Sequence, residues 1–383
     1  MADPDHSHAR AHAQFDPARI SRWAPPSYDR VAAALPLITD AKPILAELDL
    51  WDCWPLETVD GRVARRNDRE YWFFLSAPRL PDPGQRHDQA RIRLIAREGG
   101  NWIDLGNALP DGANPGSREW AGSAVLWDDD RVTLYFTAAG RAGGVPSFEQ
   151  RLFEVDARLD DGGISGWGLP REIVTSDGQR YVAARALEGV PGAIKAFRDP
   201  AFFRDPATGH DHILFAGSAG WNADPHNGVV GLATRVGDGV GGGWRLDNPL
   251  VEAVGINNEL ERPHIRYFGG HYYLFFSTQA RTFSPTALAG PNGLYAMVAD
   301  RLDGPWRAVN GSGLVAANPA AEPTQAYSWW VDGDGEVIAF IDHWGLQGRG
   351  FDTNPELVRN QFGGTPAPLF ALDFDGERVT IRR

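Results

Sequence analysis

Five times after position 48, an apolar strand, a tight Gly/Asp/Asn turn and a second, aromatic-rich strand follow one another. The first is WDCWPLETVDGRV leading into EYWFFLS at 70–76. The others are SAVLWDDDRVTLYFT at 123–137, PAFFRDPATGHDHILFAG at 200–217, PHIRYFGGHYYLFFST at 263–278 and YSWWVDGDGEVIAFID at 327–342. Each reads as a β-hairpin. Successive hairpins lie about 60–80 residues apart, room for four strands and their connections. A four-stranded unit cannot bury both faces alone, so five such units stack about a common axis. The expected fold class is all-β, a five-bladed β-propeller with a short N-terminal partly helical extension. The repetition is one of pattern, so a β-sandwich stays open at this point. The propeller is expected over 45–383 and the extension over 1–44. Within 28–48, Val31, Ala34, Leu35 and Leu37 form a weakly helical pattern that Pro36 and Pro43 interrupt. The run GDGVGGGWR at 237–245 reads as a loop between blade strands, and no linker divides the chain into two catalytic domains.

Composition removes other classes. One cysteine in 383 residues makes no internal disulfide and no cysteine-rich metal site. A net charge of −13 lacks the footprint of a nucleic-acid or anionic-membrane binder. No run approaches the ~20 apolar residues of a membrane span. The polar N-terminus has no signal-peptide h-region. The expectation is a cytoplasmic protein, with non-classical export or a trimmed chain left open. His6, His8 and His12 lie in that polar tail, without a scaffold for a metal. The 44 Gly and 28 Pro supply turns. The 14 Trp either fill a β core or offer flat faces to sugar rings.

Three motifs place carboxylates in unusual surroundings. Asp52 stands in Leu50-Trp51-Asp52-Cys53-Trp54-Pro55, between two tryptophans in an apolar strand, where a carboxylate is costly unless hydrogen-bonded or used. A capping role is the alternative. Asp199 follows Arg198 at the entry to the third hairpin, a pattern that also suits a structural ion pair. Glu259 and Glu261 precede the fourth hairpin two residues apart, hence on one face of a strand. Arg262 then lies on the other side unless the strand bulges. Like charges crowded on one face raise each other's pKa, which suits a general acid. Cys53 reads as a small core residue. Acidic groups from three blades converge only around a shared axis, and carboxylates walled by tryptophan suggest glycoside chemistry. A retaining enzyme uses one as nucleophile and another as proton donor.

With these residues in view, the chain resembles glycoside hydrolase family 68, the levansucrases, inulosucrases and related β-fructofuranosidases. The matching runs occur in order: LWDCWPLE at 50–57, DGANPGSREWAGS at 111–123, FRDPAFF at 197–203, INNELERPHI at 256–265, GPNGLYAMV at 290–298, NGSGLV at 310–315, QAYSWWV at 325–331 and IAFID at 338–342. The resemblance implies a five-bladed propeller. It makes Asp52 the nucleophile, Asp199 the stabiliser of oxocarbenium-like charge, and Glu261 the general acid/base. It also implies that Trp51 and Trp120 line the fructosyl subsite, that Arg198 and Glu259 hold sugar hydroxyls, and that Tyr327 lies near the acid/base. Arg262 and Gln279 join the expected substrate-binding set. The substrate is sucrose or a related fructoside, the acceptor is water or a sugar, and no metal or other cofactor is required.

The chain departs from the family pattern in places. Ala121 stands where a serine usually supports the nucleophile, and Ser123 lies two residues on. Gln279, with Arg281 close by, stands where His or Arg is common. Trp329 replaces a histidine, Ala216 a glutamate, and Asn257-Asn258 fall where an acidic calcium ligand would sit. These changes favour hydrolysis or short-chain transfer over long polymer. Two other readings stay open: a five-bladed glycosidase for arabinose- or xylose-containing substrates, and a non-catalytic glycan-binding propeller.

Overall fold

The innermost strand of each blade is buried nearly end to end, because neighbours cover both of its faces. This matches the near-continuous apolar runs of the five hairpins. A computed structural model describes residues 15–145, 147–182, 194–237 and 242–382. His6, His8 and His12 lie outside the described residues, as do positions 238–241 of the Gly-rich run.

Blade one contains Leu48–Thr58, Arg69–Pro78, Arg91–Glu98 and Asn101–Asn107. In blade two, Arg118–Leu126, Arg131–Ala139 and Gln150–Asp160 are edged by Gly163–Ser165 and Arg171–Glu172. Blade three runs through Phe197–Arg204, Asp211–Ser218 and Gly228–Val236 to Gly243–Leu246. Blade four is Glu261–Phe268, His271–Thr278 and Gly293–Ala299, followed by Arg307–Ala308 and Leu314–Ala317. Blade five begins with Ala326–Val331 and Glu336–His343. Phe362–Pro366 and Phe370–Asp375 both pair with the latter strand, and Arg378–Ile381 forms the edge. Each expected hairpin is thus the inner antiparallel pair of one blade.

The blades are tied at the axis. The inner strands of blades one and two pair in parallel, Leu56 opposite Ala124. Blade five closes onto blade one, where Arg359 donates to Asp49 at 2.6 and 2.9 Å. Beneath the axis, Arg266 of blade four ion-pairs with Glu57 of blade one, and Trp330 Nε1 donates to the same carboxylate at 2.7 Å.

The helical part of the extension is a single 3-10 turn at Pro17–Arg19. The pattern at 28–48 does not form a helix: the segment is turns and extended chain. Val31 and Leu37 of that stripe are exposed, and Pro36 and Pro43 remove two backbone donors. Ser21–Arg22 instead adds in parallel to Val251–Glu252. Trp23 is buried against Phe276, Phe283 and Tyr295, with its Nε1 donating to Ser312 O at 3.0 Å. The extension therefore fastens blade three to blade four.

Candidate active site

Every innermost strand breaks its register once, between Trp51 and Trp54, Trp120 and Gly122, Arg198 and Ala201, Glu261 and His264, and Tyr327 and Trp330. A bulge re-aims side chains that a regular pleat would send to opposite faces. In four blades the bulge holds a non-glycine residue at positive φ: Asp52 at 42°, Asp199 at 62°, Arg262 at 50° and Ser328 at 62°. Such conformations cost on the order of 1–3 kcal/mol each and persist only where surroundings enforce them. Their repetition at one level of the axis marks the site.

Two rings result. The residues before the bulge positions are Trp51, Trp120, Arg198, Glu261 and Tyr327. Those at them are Asp52, Ala121, Asp199, Arg262 and Ser328. Asp199, Glu259 and Glu261 share one guanidinium, with Arg198 at 3.8, 3.9 and 3.0 Å from their respective carboxylates. Tyr327 donates its hydroxyl proton to Glu261. Glu259 and Glu261 are neighbours as expected, but not through strand periodicity: the strand starts at Glu261. Glu259 is held by its own amide, which donates to Asn257 Oδ1 at 2.8 Å. Thr278 and Thr282 hydroxyls lie 3.2 and 3.0 Å from the same oxygen, so Asn257 organises this turn.

Arg262 needs a correction. The strand does bulge, but the side chain faces protein rather than substrate. Its Nη1 donates to Ser328 O at 3.1 Å and to Ser328 Oγ at 2.9 Å, and its Nη2 to Cys53 O at 2.8 Å. It lies between the rings of Trp54 and Trp330, at 5.7 and 5.1 Å. Its backbone amide donates to Asp199 Oδ2 at 3.1 Å. Arg262 is a strut beneath the carboxylates.

Burial is the first cause of the electrostatics. It pushes Asp199 up to about 7; Arg198 opposes this, and the charges of Glu261 and Asp52 add to it. Burial and the Glu261 charge likewise push Glu259 up to about 7. Asp52 is also raised by burial, while Arg262 and a hydrogen bond from Ser328 pull it back. The Cys53 thiol is buried and pushed up to about 12, an inert core group.

The two expected tryptophans sit at the register breaks of blades one and two. Trp51 is 1% exposed, yet among the described residues its Nε1 has no partner. Arg198 Nη1 is likewise without a partner among the described residues. Buried donors of this kind ask for an acceptor from a bound molecule. Trp120 donates to His87 O at 3.3 Å. Gln279 accepts from Arg281 Nε at 2.7 Å and hydrogen-bonds Tyr327. Ser123 accepts from Phe202 N at 2.9 Å, so it braces strands and is no substitute for a hydroxyl at Ala121.

Sequence reasoning missed three residues. Arg86 lies 5.2 Å from the Trp51 ring centroid and 4.6 Å from that of Phe362, and His87 packs edge-on to Trp51 at 5.7 Å. Both come from the loop after the second strand of blade one, where no motif announces them. Ser328 could have been found by aligning the hairpins, since it holds the position of Asp52, Asp199 and Arg262. A separate cavity of about 1010 Å³, lined in part by Asp205, His212, Asp247 and Tyr272, touches none of the expected residues.

The family profile described as levansucrase/invertase, glycoside hydrolase family 68, matches residues 4–229 and 221–383. The chain belongs to glycoside hydrolase family 68. Among relatives in the family, the levansucrase of Erwinia amylovora is 30% identical over 388 residues, covering 90% of this chain and 89% of that one. The levansucrase of Zymomonas mobilis is 31% identical over 381 residues, covering 92% and 87%. The inulosucrase from Halalkalicoccus jeotgali bound to kestose superimposes with a TM-score of 0.84 at 37% identity, over 94% of this chain and 95% of that one. A levansucrase from Gluconacetobacter diazotrophicus, at 23% identity and a TM-score of 0.78 over 94% and 85%, shares the fold.

Proposed function

We propose that this protein is a retaining fructosyl-transferring enzyme acting on sucrose or a related β-fructofuranoside. The observation that carries the reading is that Asp199 and Glu261 share the Arg198 guanidinium while Asp52, from a third blade, lies within reach of the charges of Glu261, Asp199 and Arg262. Glu261 gives its proton to the glycosidic oxygen while Asp52 attacks the fructosyl anomeric carbon. The bond to glucose breaks, its electron pair staying on the newly protonated oxygen, and a covalent fructosyl-enzyme forms. Asp199 holds fructosyl hydroxyls and faces the developing positive charge. Ionised Glu261 then takes a proton from water or a sugar hydroxyl, whose oxygen attacks the anomeric carbon and frees Asp52.

Trp51 and Trp120 wall the fructosyl unit in this reading, Arg198 and Glu259 bind its hydroxyls, and Tyr327 orients Glu261. With Gln279 and Ala216 on the acceptor side, hydrolysis and short-chain transfer are favoured over long polymer. Incubating the protein with sucrose and measuring free glucose, free fructose and oligosaccharides tests this. Equal glucose and fructose mean hydrolysis, and excess glucose means transfer. Release of neither removes sucrose as donor.

A further inference from the structure

We propose that Ser328 is the positioning residue of the nucleophile: its hydroxyl, presented from blade five, orients the Asp52 carboxylate in place of a hydroxyl that blade two lacks. This rests on the reading of Asp52 as nucleophile. Blade one has two neighbours in the ring, blades two and five. On the blade-two side the equivalent bulge position is Ala121, buried and without a donor. On the blade-five side it is Ser328, 2% exposed at φ 62°.

The direction of the Ser328 proton is forced. A hydroxyl has one proton and two acceptor sites, whereas a guanidinium only donates. Arg262 Nη1 donates to Ser328 Oγ at 2.9 Å, so the serine's own proton is left to go elsewhere. Asp52 is the acceptor at hand: Arg262 bridges Ser328 to the backbone of Cys53, next to Asp52, and the hydroxyl favours the ionised carboxylate. The same guanidinium fixes the backbone of both bulges through Ser328 O and Cys53 O. Asp52 and Ser328 are therefore held in strained conformations by one buried cation and linked by one hydroxyl. The other charges acting on Asp52 include those of Glu261, Arg86 and Asp199.

A nucleophilic carboxylate must stay ionised and keep one oxygen aimed at the anomeric carbon. A donor on one oxygen serves both needs, and hydrogen bonds to charged acceptors are among the stronger kind. Alanine at 328 removes the hydroxyl without a new backbone demand. Threonine is a poor control because a β-branched residue resists positive φ.

The test compares wild type, Ser328→Ala, Ala121→Ser and the double variant, each with its thermal midpoint. With sucrose, Ser328→Ala should lower the rate of fructosyl-enzyme formation by about 10- to 100-fold. The acid limb of its pH profile should move to higher pH, since the lost donor favoured ionised Asp52. Adding Ala121→Ser should recover part of the rate and return the limb. Activity of Ser328→Ala within about twofold of wild type with an unmoved acid limb overturns the proposal. So does a double variant no better than Ser328→Ala, the result expected of a packing role. Titration of the Asp52 carboxyl by NMR in the substrate-free protein decides the matter even if sucrose is not the donor. An upward shift in Ser328→Ala supports the proposal, and an unchanged titration overturns it.

Discussion

The guanidinium of Arg198 stands 3.0 Å from the carboxylate of Glu261, across the boundary between blades three and four. Both side chains are largely enclosed, and Arg198 also faces Asp199 and Glu259. One buried cation thus gathers three carboxylates that would otherwise repel. It can do so because each inner strand is bulged where it meets the axis. The strain at Asp52 and Asp199 is the structural condition for this convergence.

The separate roles of Asp52 and Glu261 predict separate defects. Asp52→Ala should reduce turnover of sucrose by several orders of magnitude. Glu261→Ala should cost roughly 10²- to 10⁴-fold, and much less with a fructosyl donor whose leaving group needs no proton. Equal losses of Glu261→Ala on both donors would remove its role as acid. Because burial raises Asp52, activity in the wild type should fade on the acid side at a pH above the ordinary aspartate value of about 4.

Stability should fall as pH rises through neutrality. Glu57, Asp199 and Glu259 all have folded values near 7, raised first by burial. The folded chain therefore binds protons that the unfolded chain has released. That contribution is fully present below the unfolded carboxylate range and is lost as pH passes about 7. The thermal midpoint should be higher at pH 5.5 than at pH 8. Glu259→Gln should raise the midpoint at pH 8 by roughly one to a few degrees and flatten the slope. A variant with the wild-type slope would contradict the assignment of Glu259.

Gln279 sits between Arg281 and Tyr327, the tyrosine that donates to Glu261. Gln279→His or Gln279→Arg should alter the ratio of free glucose to free fructose from sucrose, toward transfer. The ratio is read directly from sugar analysis over a range of sucrose concentrations. No change in either variant would mean that position 279 does not face the acceptor.

Below the site, Arg266 pairs with Glu57 and donates to Val331 O at 2.7 Å, with both charged side chains buried. Arg266→Ala leaves that carboxylate uncompensated, a loss of about 3–5 kcal/mol. The thermal midpoint should drop by several degrees. Arg266→Ala combined with Glu57→Gln should recover part of the drop. Additive losses would show that the two side chains do not act as a pair.

The bulges explain which parts of the site were legible in advance. Asp52 and Asp199 were visible because a carboxylate in an apolar run is conspicuous. Glu259 and Glu261 were rightly paired, although for a reason of strand periodicity that the chain does not obey. Strand alternation put Arg262 on the far side from Glu261; only the expected substrate-binding set brought it to the sugar, and its side chain does turn under the site, at φ 50°. Arg86 and His87 come from a loop whose position depends on packing against Trp51.

Local chemistry determined the five hairpins, their turns and the odd placement of the acidic residues. Those follow from short-range patterns of apolar side chains, Gly and Asp. Only the closed ring decided which atoms meet, because the contacts join residues far apart in the chain, 63 positions for Arg198 with Glu261 and 310 for Arg359 with Asp49. Such pairs form once five twisted sheets share an axis, and no local propensity encodes the reach of one guanidinium across two blades.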